Sequence, residues 1–551
     1  MRLIIHTDGE PVSIEVPAGA QLADAILAAG IRINLSCGGF GSCRRCAVVI
    51  RSGAFSRNGE PLSPGTTEVL SCSIRCGEGT AEIEIPAAAR IARSGRILQD
   101  YRMPPVAFKA AAALPPVSDP PPLGLAVDIG TTTVATALVD LSNGTILGHA
   151  AMYNQQVFRA ADVASRIAFC SDAAAVTTLQ RLLIDQTINA LINEYAAAGL
   201  ATPERIVRVV MAGNTTMMHL AAGLSPLGMG SVPFTPKALV FPPLPARRLG
   251  LAVNEQAEAI LLPSSAAYIG ADVICDLFVA RLEQGPLPAL LVDIGTNGEI
   301  VLATETGLFA CATAAGPAFE GAGLSHGCRA EDGAIDHLRI GPDLDFRLDV
   351  IGGGAPCGLC GSAVIDFLAA GRRCGLLNAC GRLDCRKLEQ SGRLAQTRNH
   401  RGMVNACILS ERSATGPNPI TISEEDIEQA LKAKAAIQAG IHVLLEQCAI
   451  QPSALARLVI AGGFGHYLNL KNAAAIGLLP AIHPARIEVI GNGSLAGAIA
   501  SLLDESLLPQ FENIARRPSI VELNRIPSFQ DHFIESLLLD AAHPASEGDP
   551  A

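Results

Sequence analysis

The sequence predicts a multidomain α/β protein, with a small cysteine-rich domain at the N-terminus and a larger, internally duplicated domain after it. At 551 residues the chain is long enough for about two to four domains. Hydrophobic residues make up 49% of it and aromatic residues only 4%, a composition typical of closely packed helices and sheets. Two observations define the domains: a set of four cysteines near the N-terminus, and a strand–turn–strand motif that occurs twice.

The four cysteines are Cys37, Cys43, Cys46 and Cys72, spaced C-x5-C-x2-C with the fourth after 25 further residues. This spacing is one residue longer than that of plant-type ferredoxins. The glycine-rich loop between them lets backbone N–H groups approach cluster sulfur atoms without a Cβ clash. We therefore predict that the four thiolates bind a [2Fe–2S] cluster. A zinc site is the alternative, although zinc usually takes C-x2-C pairs, and Cys76 is an alternative fourth ligand.

The remainder of the first domain, residues 1–94, resembles a β-grasp ferredoxin in its order of elements. The stretch RLIIHTDGEPVSIEV predicts a β-hairpin, AQLADAILAAG a short helix and AEIEIPAAAR a closing strand. The five-residue gap between the first two cysteines resembles the adrenodoxin-like branch of that fold. A proline-rich linker follows at residues 95–122, for which we predict an extended, semi-rigid chain that builds no core.

The second domain contains one motif twice, which predicts two similar lobes facing a cleft. LAVDIGTTTVATALVD surrounds Asp128 and LLVDIGTNGEIVLATETG surrounds Asp293, and each is later followed by an apolar strand that ends in Ala-Gly, at Gly213 and Gly462. The interval from Asp to Gly is 85 residues in the first half and 169 in the second, so we predict an insertion at about 330–420. The predicted boundaries are lobe 1 at 123–285, lobe 2 at 286–505 and a C-terminal tail at 506–551.

The motifs DIGTTT, DIGTNGE and AGGFG resemble the phosphate-1, phosphate-2 and adenosine motifs of the acetate and sugar kinase, Hsp70 and actin superfamily. That resemblance implies an RNase H-like, actin/Hsp70-type ATPase domain with ATP as its ligand. Together with the cysteine domain, and with the stretches GNTTMMHLAAGLSP, AAGPAFEGA and GLCGSAVID, the chain resembles the reductive activators of corrinoid proteins. We expect one departure, because members of that family carry a further domain before the first phosphate motif, whereas Pro122 is here only six residues before Asp128.

The chemistry expected in the cleft follows from the two DIGT turns. The glycine of each turn brings backbone N–H groups close to a phosphate, and the threonine hydroxyls can donate to its oxygens. Asp128 and Asp293 are the catalytic candidates, expected to face each other and to hold Mg²⁺ mostly through water. Glu299 and Glu320 are further candidates for positioning water, and simple strand connections without a ligand are the alternative. The predicted nucleotide contacts are Gly130, Thr131, Thr132, Thr133, Gly295, Thr296, Asn297, Gly298, Gly462 and Gly463.

The function implied by the resemblance is ATP-dependent reductive activation of a corrinoid-binding protein in a methyltransferase system. An electron from reduced ferredoxin, flavodoxin or a reductase would pass through the [2Fe–2S] cluster and convert cob(II)alamin to cob(I)alamin. The alternative is an ATP-dependent activator of another low-potential enzyme, similar to the activators of 2-hydroxyacyl-CoA dehydratases, or a redox-sensing regulatory ATPase. The sequence leaves the oligomeric state open, with a homodimer as one candidate.

Composition and patterning exclude other classes. The net charge of −11 and the lack of a Lys/Arg run argue against nucleic acid as a partner. No apolar run reaches the roughly 18–20 residues that span a membrane, and the N-terminus does not resemble a signal peptide, so we expect a cytoplasmic protein. Its sixteen cysteines are then metal ligands and reduced thiols. A second metal site among Cys357, Cys360, Cys374, Cys380 and Cys385 stays open, and His219 and His466 are expected to be hydrogen-bonded walls of the cleft.

Overall fold

The structure is a computed structural model. The described residues are 1–7, 11–31, 33, 46–62, 69–86, 89, 100–109, 120–321, 323–399, 402–414 and 418–539. Of the predicted cluster ligands, Cys37 and Cys43 lie outside these ranges.

The N-terminal domain is a five-stranded sheet with one helix packed beside it, as the β-grasp prediction requires. The sheet order is β2-β1-β8-β3-β6, with β1 and β2 antiparallel and β1 and β8 parallel, and a second small sheet has the order β5-β4-β7. The elements are β1 Arg2–His6, β2 Val12–Glu15, α1 Leu22–Ala28, β3 Ala47–Ser52, β4 Phe55–Arg57, β5 Glu60–Pro61, β6 Val69–Leu70, β7 Arg75–Cys76 and β8 Thr80–Glu84.

Lobe 1 is built on a six-stranded sheet of order β11-β10-β9-β12-β14-β13. Its central strand β9 is buried along its whole length, which fits an apolar strand covered on both faces. The elements are β9 Leu123–Ile129, β10 Thr133–Asp140, β11 Ile146–Tyr153, α2 Val163–Phe169, α3 Ala173–Leu183, α4 Asn189–Ala197, β12 Ile206–Gly213, α5 Thr215–Ala221, β13 Leu244–Pro245, β14 Glu258–Leu261 and α6 Ala271–Ala280.

Lobe 2 is built on a second six-stranded sheet, of order β25-β24-β15-β16-β17-β26. The chain between β17 and α9 adds two three-stranded sheets and two helices, in the stretch where we predict the insertion. The elements are β15 Ala289–Ile294, β16 Gly298–Thr304, β17 Gly307–Thr313, β18 Ala334–Ile340, β19 Phe346–Val350, β20 Gly358–Leu359, α7 Gly361–Arg373, α8 Cys385–Gln390, β21 Leu394–Asn399, β22 Gly402–Ser410, β23 Ile420–Ser423, α9 Glu424–Gln447, β24 Arg457–Ala461, α10 Leu470–Ala475, β25 Ile487–Gly491, α11 Gly493–Leu503, α12 Leu508–Ala515, β26 Ser519–Ile520 and α13 Ser528–Ser536.

The two lobes repeat one another in sheet order and in register. In each lobe three antiparallel strands are extended by two parallel ones, β12 and β14 in lobe 1 and β24 and β25 in lobe 2. Asp128 pairs with Ala212 and Asp293 pairs with Ala461, so each DIGT aspartate lies beside the alanine of an Ala-Gly strand end. The predicted two-lobed fold with an internal duplication is therefore confirmed.

Helices α6 and α11 pack against each other and join the two lobes. Helix α11 follows the last parallel strand of lobe 2, yet its apolar residues belong to the hydrophobic core of lobe 1. A side chain at Gly497 would collide with Cys275 of α6, so the two helices approach closely at this glycine. The helix pair lies directly behind the cleft between the two sheets.

Part of the proline-rich segment packs on the ATPase lobes, which differs from the prediction of a linker without a core. Tyr101, Met103, Val106 and Phe108 pack against the lobe 1 core. The chain around Tyr101 pairs with Gly491 at the end of β25. Apolar side chains near the prolines provide this contact, which the proline-rich composition of the segment does not indicate.

The C-terminal segment completes both lobes rather than forming a separate unit. Phe511 of α12 packs on Phe278 of α6, with ring centroids 4.6 Å apart. Strand β26 extends the lobe 2 sheet beside β17, and Lys434 of α9 donates to the carbonyls of Ser536 and Leu538 at the end of α13. No helix within the described ranges is both long and apolar enough to cross a membrane.

Candidate nucleotide and cluster sites

The two DIGT turns meet directly across the cleft. The hydroxyls of Thr132 in lobe 1 and Thr296 in lobe 2 are 3.3 Å apart. Both donate to the carboxylate of Glu320, at 3.0 Å from Thr132 and 2.8 Å from Thr296. Side chains predicted to bind phosphate from opposite lobes thus converge on one point.

Asp128 is held at the end of β9 by residues from the N-terminal end of α11. Asn492 Nδ2 donates to one carboxylate oxygen of Asp128 at 2.9 Å, and Ser494 Oγ donates to the other at 2.7 Å. Burial raises the pKa of Asp128, and these two hydrogen bonds oppose the rise. The hydrogen bonds from Asn492 and Ser494 to Asp128 could not be predicted from the sequence, because they depend on a helix that crosses from lobe 2 to lobe 1.

Asp293 occupies the equivalent position at the end of β15, against the glycine turn after β24. A Cβ atom at Gly462 would lie 2.6 Å from Asp293 Oδ1, and Gly462 has a φ of +86°, so glycine is required there. Burial, followed by the charge of Asp128, raises the pKa of Asp293 to about 7. The two aspartates therefore share one low-dielectric region, as the duplicated motif predicts.

Two further carboxylates from α6 enter this region. Asp272 and Asp276 are four residues apart, which places them on one face of the helix. Burial and the nearby Asp293 raise the pKa of Asp272 to about 8 and also raise that of Asp276. Asp276 Oδ2 is buried and has no hydrogen-bond partner among the described residues. These two residues were not predicted. The sequence feature that could have indicated them is a pair of aspartates at helical spacing in the apolar stretch GADVICD.

The phosphate-1 turn is fixed from behind by a buried arginine and an asparagine. Arg166 is completely buried, and its guanidinium donates to the carbonyls of Thr131 and Ala160. Asn214, at the start of α5, donates to Thr131 Oγ1 at 2.9 Å. Asn214 lies in GNTTMMHLAAGLSP, one of the stretches that carry the family resemblance.

Most of the predicted nucleotide residues line this cleft. The exception is Gly298, which begins β16 and faces Ile437 of α9 instead. Glu299 is buried beside the aspartates, and burial raises its pKa. His219 lies away from the cleft, fully buried, with Nδ1 hydrogen-bonded to the Thr215 carbonyl. The predicted residues that line the cleft are Asp128, Gly130, Thr131, Thr132, Thr133, Asp293, Gly295, Thr296, Asn297, Gly462 and Gly463.

Two of the four predicted cluster ligands lie side by side in the N-terminal domain. Cys46 is fully buried just before β3, and Cys72 is 5% exposed just after β6. The two strands are antiparallel, and the Ser71 N–H donates to the Cys46 carbonyl at 3.0 Å. Cys76 lies on β7 of the other sheet, where burial raises its pKa to about 11. Cys46 and Cys72 therefore lie on neighbouring strands, while Cys76 lies on a different sheet of the same hydrophobic core, and burial alone does not distinguish the two candidates for the fourth ligand.

The cysteines of the insertion lie in the described part of the chain, where their burial differs. No group of three His, Cys, Asp or Glu side chains there is arranged to hold a metal ion. Cys374 and Cys380 are exposed, and Cys360 is buried at the start of α7.

Comparisons with known proteins agree with this architecture. The profile described as the C-terminal domain of RACo, the ASKHA domain, matches residues 288–546, and that of the RACo middle region matches residues 123–285. The profile of the 2Fe-2S iron-sulfur cluster binding domain matches residues 5–77. The corrinoid activation enzyme RamQ of Eubacterium limosum is 32% identical over 424 residues, which cover 75% of this chain and 70% of that enzyme. The chain belongs to the RACo family of corrinoid activators.

One further relative and one solved structure support this family assignment. A [Co(II) methylated amine-specific corrinoid protein] reductase from Methanosarcina barkeri is 27% identical over 72% of each chain. The solved structure of a reductive activator for corrinoid, iron-sulfur protein is 29% identical, covers 98% of each chain and has a TM-score of 0.71. Since both chains are covered almost completely, the expectation that this chain lacks a domain is wrong for that family member. The residues that match the RACo middle region, 123–285, are those of lobe 1.

The family assignment also specifies two ligands. Its 2Fe-2S domain supports a [2Fe–2S] cluster in the N-terminal domain, and its ASKHA domain supports ATP binding in the cleft. The geometry described above is compatible with both.

Proposed function

We propose that this chain is an ATP-dependent reductive activator that converts the cob(II)alamin of a corrinoid protein to cob(I)alamin in a methyltransferase system. When bound, the [2Fe–2S] cluster supplies one-electron transfer, taking an electron from reduced ferredoxin, flavodoxin or a reductase and giving it to cobalt. The family relatives named above act on corrinoid proteins, which supports this partner class.

The observation that carries the proposal is a direct connection between the nucleotide site and the N-terminal domain through residues 154–159. Asn154 donates from its backbone N–H to the Thr132 carbonyl at 2.9 Å and from its side chain to the Gly130 carbonyl at 3.0 Å. A few residues later, Val157 and Phe158 are buried in the same hydrophobic cluster as the core of the N-terminal domain. A shift of the phosphate-1 turn would therefore be felt at the surface on which the N-terminal domain rests.

An ion pair extends this interface. Arg159 lies 3.3 Å from Asp24 of α1, and both side chains are roughly half exposed. A pair of this kind contributes little stability, on the order of 0–1 kcal/mol. The buried apolar contact therefore provides most of the attachment, and the ion pair favours one orientation.

The packed part of the linker makes a second connection to the same cleft. Tyr467, which follows the AGGFG motif, donates its hydroxyl to Asp100 Oδ2 at 2.6 Å. The Asn492 N–H donates to the Asp100 carbonyl at 3.0 Å, and the Asn492 side chain donates to Asp128. One residue, Asn492, thus joins the linker to a catalytic aspartate.

We further propose that Asp128 and Asp293 hold Mg²⁺ for the nucleotide mostly through water molecules, with Asp276 beside the hydrated ion rather than in a direct three-carboxylate ligand set. The unpartnered Asp276 Oδ2 and the raised pKa values of the surrounding carboxyls fit a cation, because a positive charge would favour their ionised forms. Asp128 and Asp293 lie at equivalent strand ends, where their carboxylates would hold the hydrated cation and orient water; the cation, when bound, would supply positive charge to the phosphates.

ATP can drive an unfavourable electron transfer only if it binds two states of the complex with different affinity. The contacts of residues 154–159 and of Asp100 offer a physical route for that difference. Nucleotide in the cleft would change the phosphate-1 turn, which connects to the N-terminal domain through residues 154–159, and the Asn492 region, which contacts the linker at Asp100.

The test is a reconstitution with purified components. The chain is mixed with a corrinoid protein in the cobalt(II) state and a low-potential reductant, and cobalt(I) absorption is followed before and after ATP and Mg²⁺ are added. We expect cluster reduction without nucleotide and cobalt(I) formation only with it. Full cobalt(I) yield in the absence of ATP, or failure of every corrinoid protein tried, would contradict the proposal.

A further inference from the structure

Arg329 crosses the cleft from lobe 2 to lobe 1. It lies between the turn Pro317–Glu320 and β18, and its guanidinium donates to Thr133 Oγ1 in the phosphate-1 turn. Its Cζ atom lies 4.3 Å from the ring centroid of Tyr153, which also belongs to lobe 1. The side chain is 18% exposed. Arg329 therefore contacts the predicted phosphate site although its own backbone belongs to the opposite lobe.

Acidic side chains far outnumber basic ones around Arg329. Among the described side chains that line the cleft, eight are carboxyl groups and Arg329 is the cation. A nucleoside triphosphate is itself a polyanion and finds no other side-chain counter-charge in this described lining. Mg²⁺ can neutralise part of its charge, and a guanidinium suits the rest because its planar fork matches two phosphate oxygens.

Glu320 occupies the position between the two phosphate turns. Its carboxylate accepts hydrogen bonds from Thr132 Oγ1 and Thr296 Oγ1, the hydroxyls predicted to donate to phosphate. Glu320 Oε2 also lies 3.8 Å from Arg329 Nη2. An anionic group is thus bound by the same donors, and beside the same cation, that a phosphate group would need.

We propose that Arg329 is a phosphate-binding residue of the nucleotide site and that Glu320 is its competing internal anion. When ATP binds, its phosphates replace the Glu320 carboxylate between Thr132 and Thr296, and Arg329 transfers from Glu320 and Thr133 to the phosphates. The inference rests on the proposed nucleotide site and adds to it a residue pair that sets affinity.

Substitutions at Arg329 and at Glu320 should have opposite effects on ATP binding. Arg329→Gln removes a charged hydrogen-bond donor to phosphate, which should weaken ATP binding by about 10- to 100-fold. Glu320→Gln removes the competing negative charge and should strengthen ATP binding by several-fold, even if hydrolysis slows. A residue with a purely structural role would not produce this pair of opposite effects.

The experiment is isothermal titration of the full chain, with its cluster assembled, using a non-hydrolysable ATP analogue with Mg²⁺ and, separately, adenosine. Arg329→Gln should weaken binding of the analogue and leave adenosine binding unchanged. Arg329→Lys, which keeps the charge, should recover part of the affinity. The matched control is Arg339→Gln, because Arg339 is exposed on β18, pairs with Asp349 and lies outside the cleft. The thermal unfolding transition of the ATPase lobes checks that each variant is folded.

The outcomes separate this inference from the proposed function. Unchanged affinity for the analogue in Arg329→Gln, or an equal loss for analogue and adenosine, refutes the role of Arg329 while the nucleotide site stands. Weaker rather than tighter binding in Glu320→Gln refutes the competition. If the unaltered chain binds neither ligand, the nucleotide site itself is wrong, and this inference fails with it.

Discussion

The carboxylates of the cleft predict an unusual dependence of stability on pH, and Asp272 is the residue that tests it. Burial and Asp293 raise the pKa of Asp272 from 3.8 to about 8. Between those two values the folded chain holds a proton that the unfolded chain has released, so rising pH favours unfolding. Stability from this group is therefore complete below about pH 4 and is lost as the pH rises towards 8.

The size of the loss in stability follows from the shift in the pKa of Asp272. Each pH unit within the window removes about 1.4 kcal/mol from the free energy of unfolding. Between pH 6 and pH 8 the loss reaches roughly 2 to 3 kcal/mol for Asp272. In a cooperative unit of roughly 400 residues, an unfolding entropy of ~2.1 cal/mol/K per residue converts this loss to about 3 °C in Tm. Asp272→Asn should remove it.

The assay is scanning calorimetry of the full chain at pH 6, 7 and 8, without nucleotide and with EDTA. We expect Asp272→Asn to exceed the unaltered chain in Tm already at pH 6, and to exceed it by about 3 °C more at pH 8. Glu535→Gln, which alters an exposed carboxylate on α13, serves as control. His219, whose pKa burial lowers, has the opposite effect on stability at acidic pH, but it is present in both chains and cancels.

Mg²⁺ provides the second arm of this test. A cation binds the ionised carboxylates, so it should stabilise the unaltered chain more at pH 8 than at pH 6, and less in Asp272→Asn. Parallel Tm curves for the two chains across pH 6 to 8 would refute the reasoning, because the raised pKa would then contribute nothing to the fold.

Three further predictions test the other sites. Cys43→Ser should abolish or strongly alter the paramagnetic signal of the reduced cluster, and an unchanged signal or bound zinc would rule out the ligand assignment. Asp293→Ala should slow ATP hydrolysis by about 100-fold or more, as loss of an electrostatic contact to a transferring phosphate does, while the cluster spectrum stays intact; hydrolysis at the unaltered rate would exclude Asp293 from catalysis. Phe158→Ser should free the N-terminal domain from lobe 1 and slow ATP-dependent cobalt(I) formation, with Arg181→Gln on the surface of lobe 1 as control; unchanged cobalt(I) formation would show that this contact does not couple the sites.

The duplication was readable from the sequence because each half carries its own complete signal. Asp128 and Asp293 both end buried apolar strands and precede a glycine turn, and these local features are sufficient to predict two equivalent strand ends. The confirmed fold class follows from them. The role of each residue in catalysis stays a prediction.

The residues that surround those aspartates could not be predicted in the same way. Asn492 and Ser494 reach Asp128 only because α11 leaves its own lobe, and Asp276 is brought in by the helix that packs against it. Such positions depend on the packing of distant segments. The packing of Tyr101 on lobe 1 was not predicted for a different reason. The surrounding prolines indicate an extended linker, and one aromatic residue among them is a weak signal of a packed segment.

The attachment of Asp100 to lobe 2 limits how far the redox domain can travel. The chain between Ala89 and Asp100 contains 11 peptide links, which can span at most about 40 Å. Because residues 100–109 pack on the lobes, the proline-rich stretch after them adds nothing to this radius. A domain confined to so small a volume meets a docked partner at a high effective concentration, on the order of millimolar for a short tether. Electron delivery should therefore depend on how long the corrinoid protein stays bound to the lobes, and only weakly on diffusion of the redox domain.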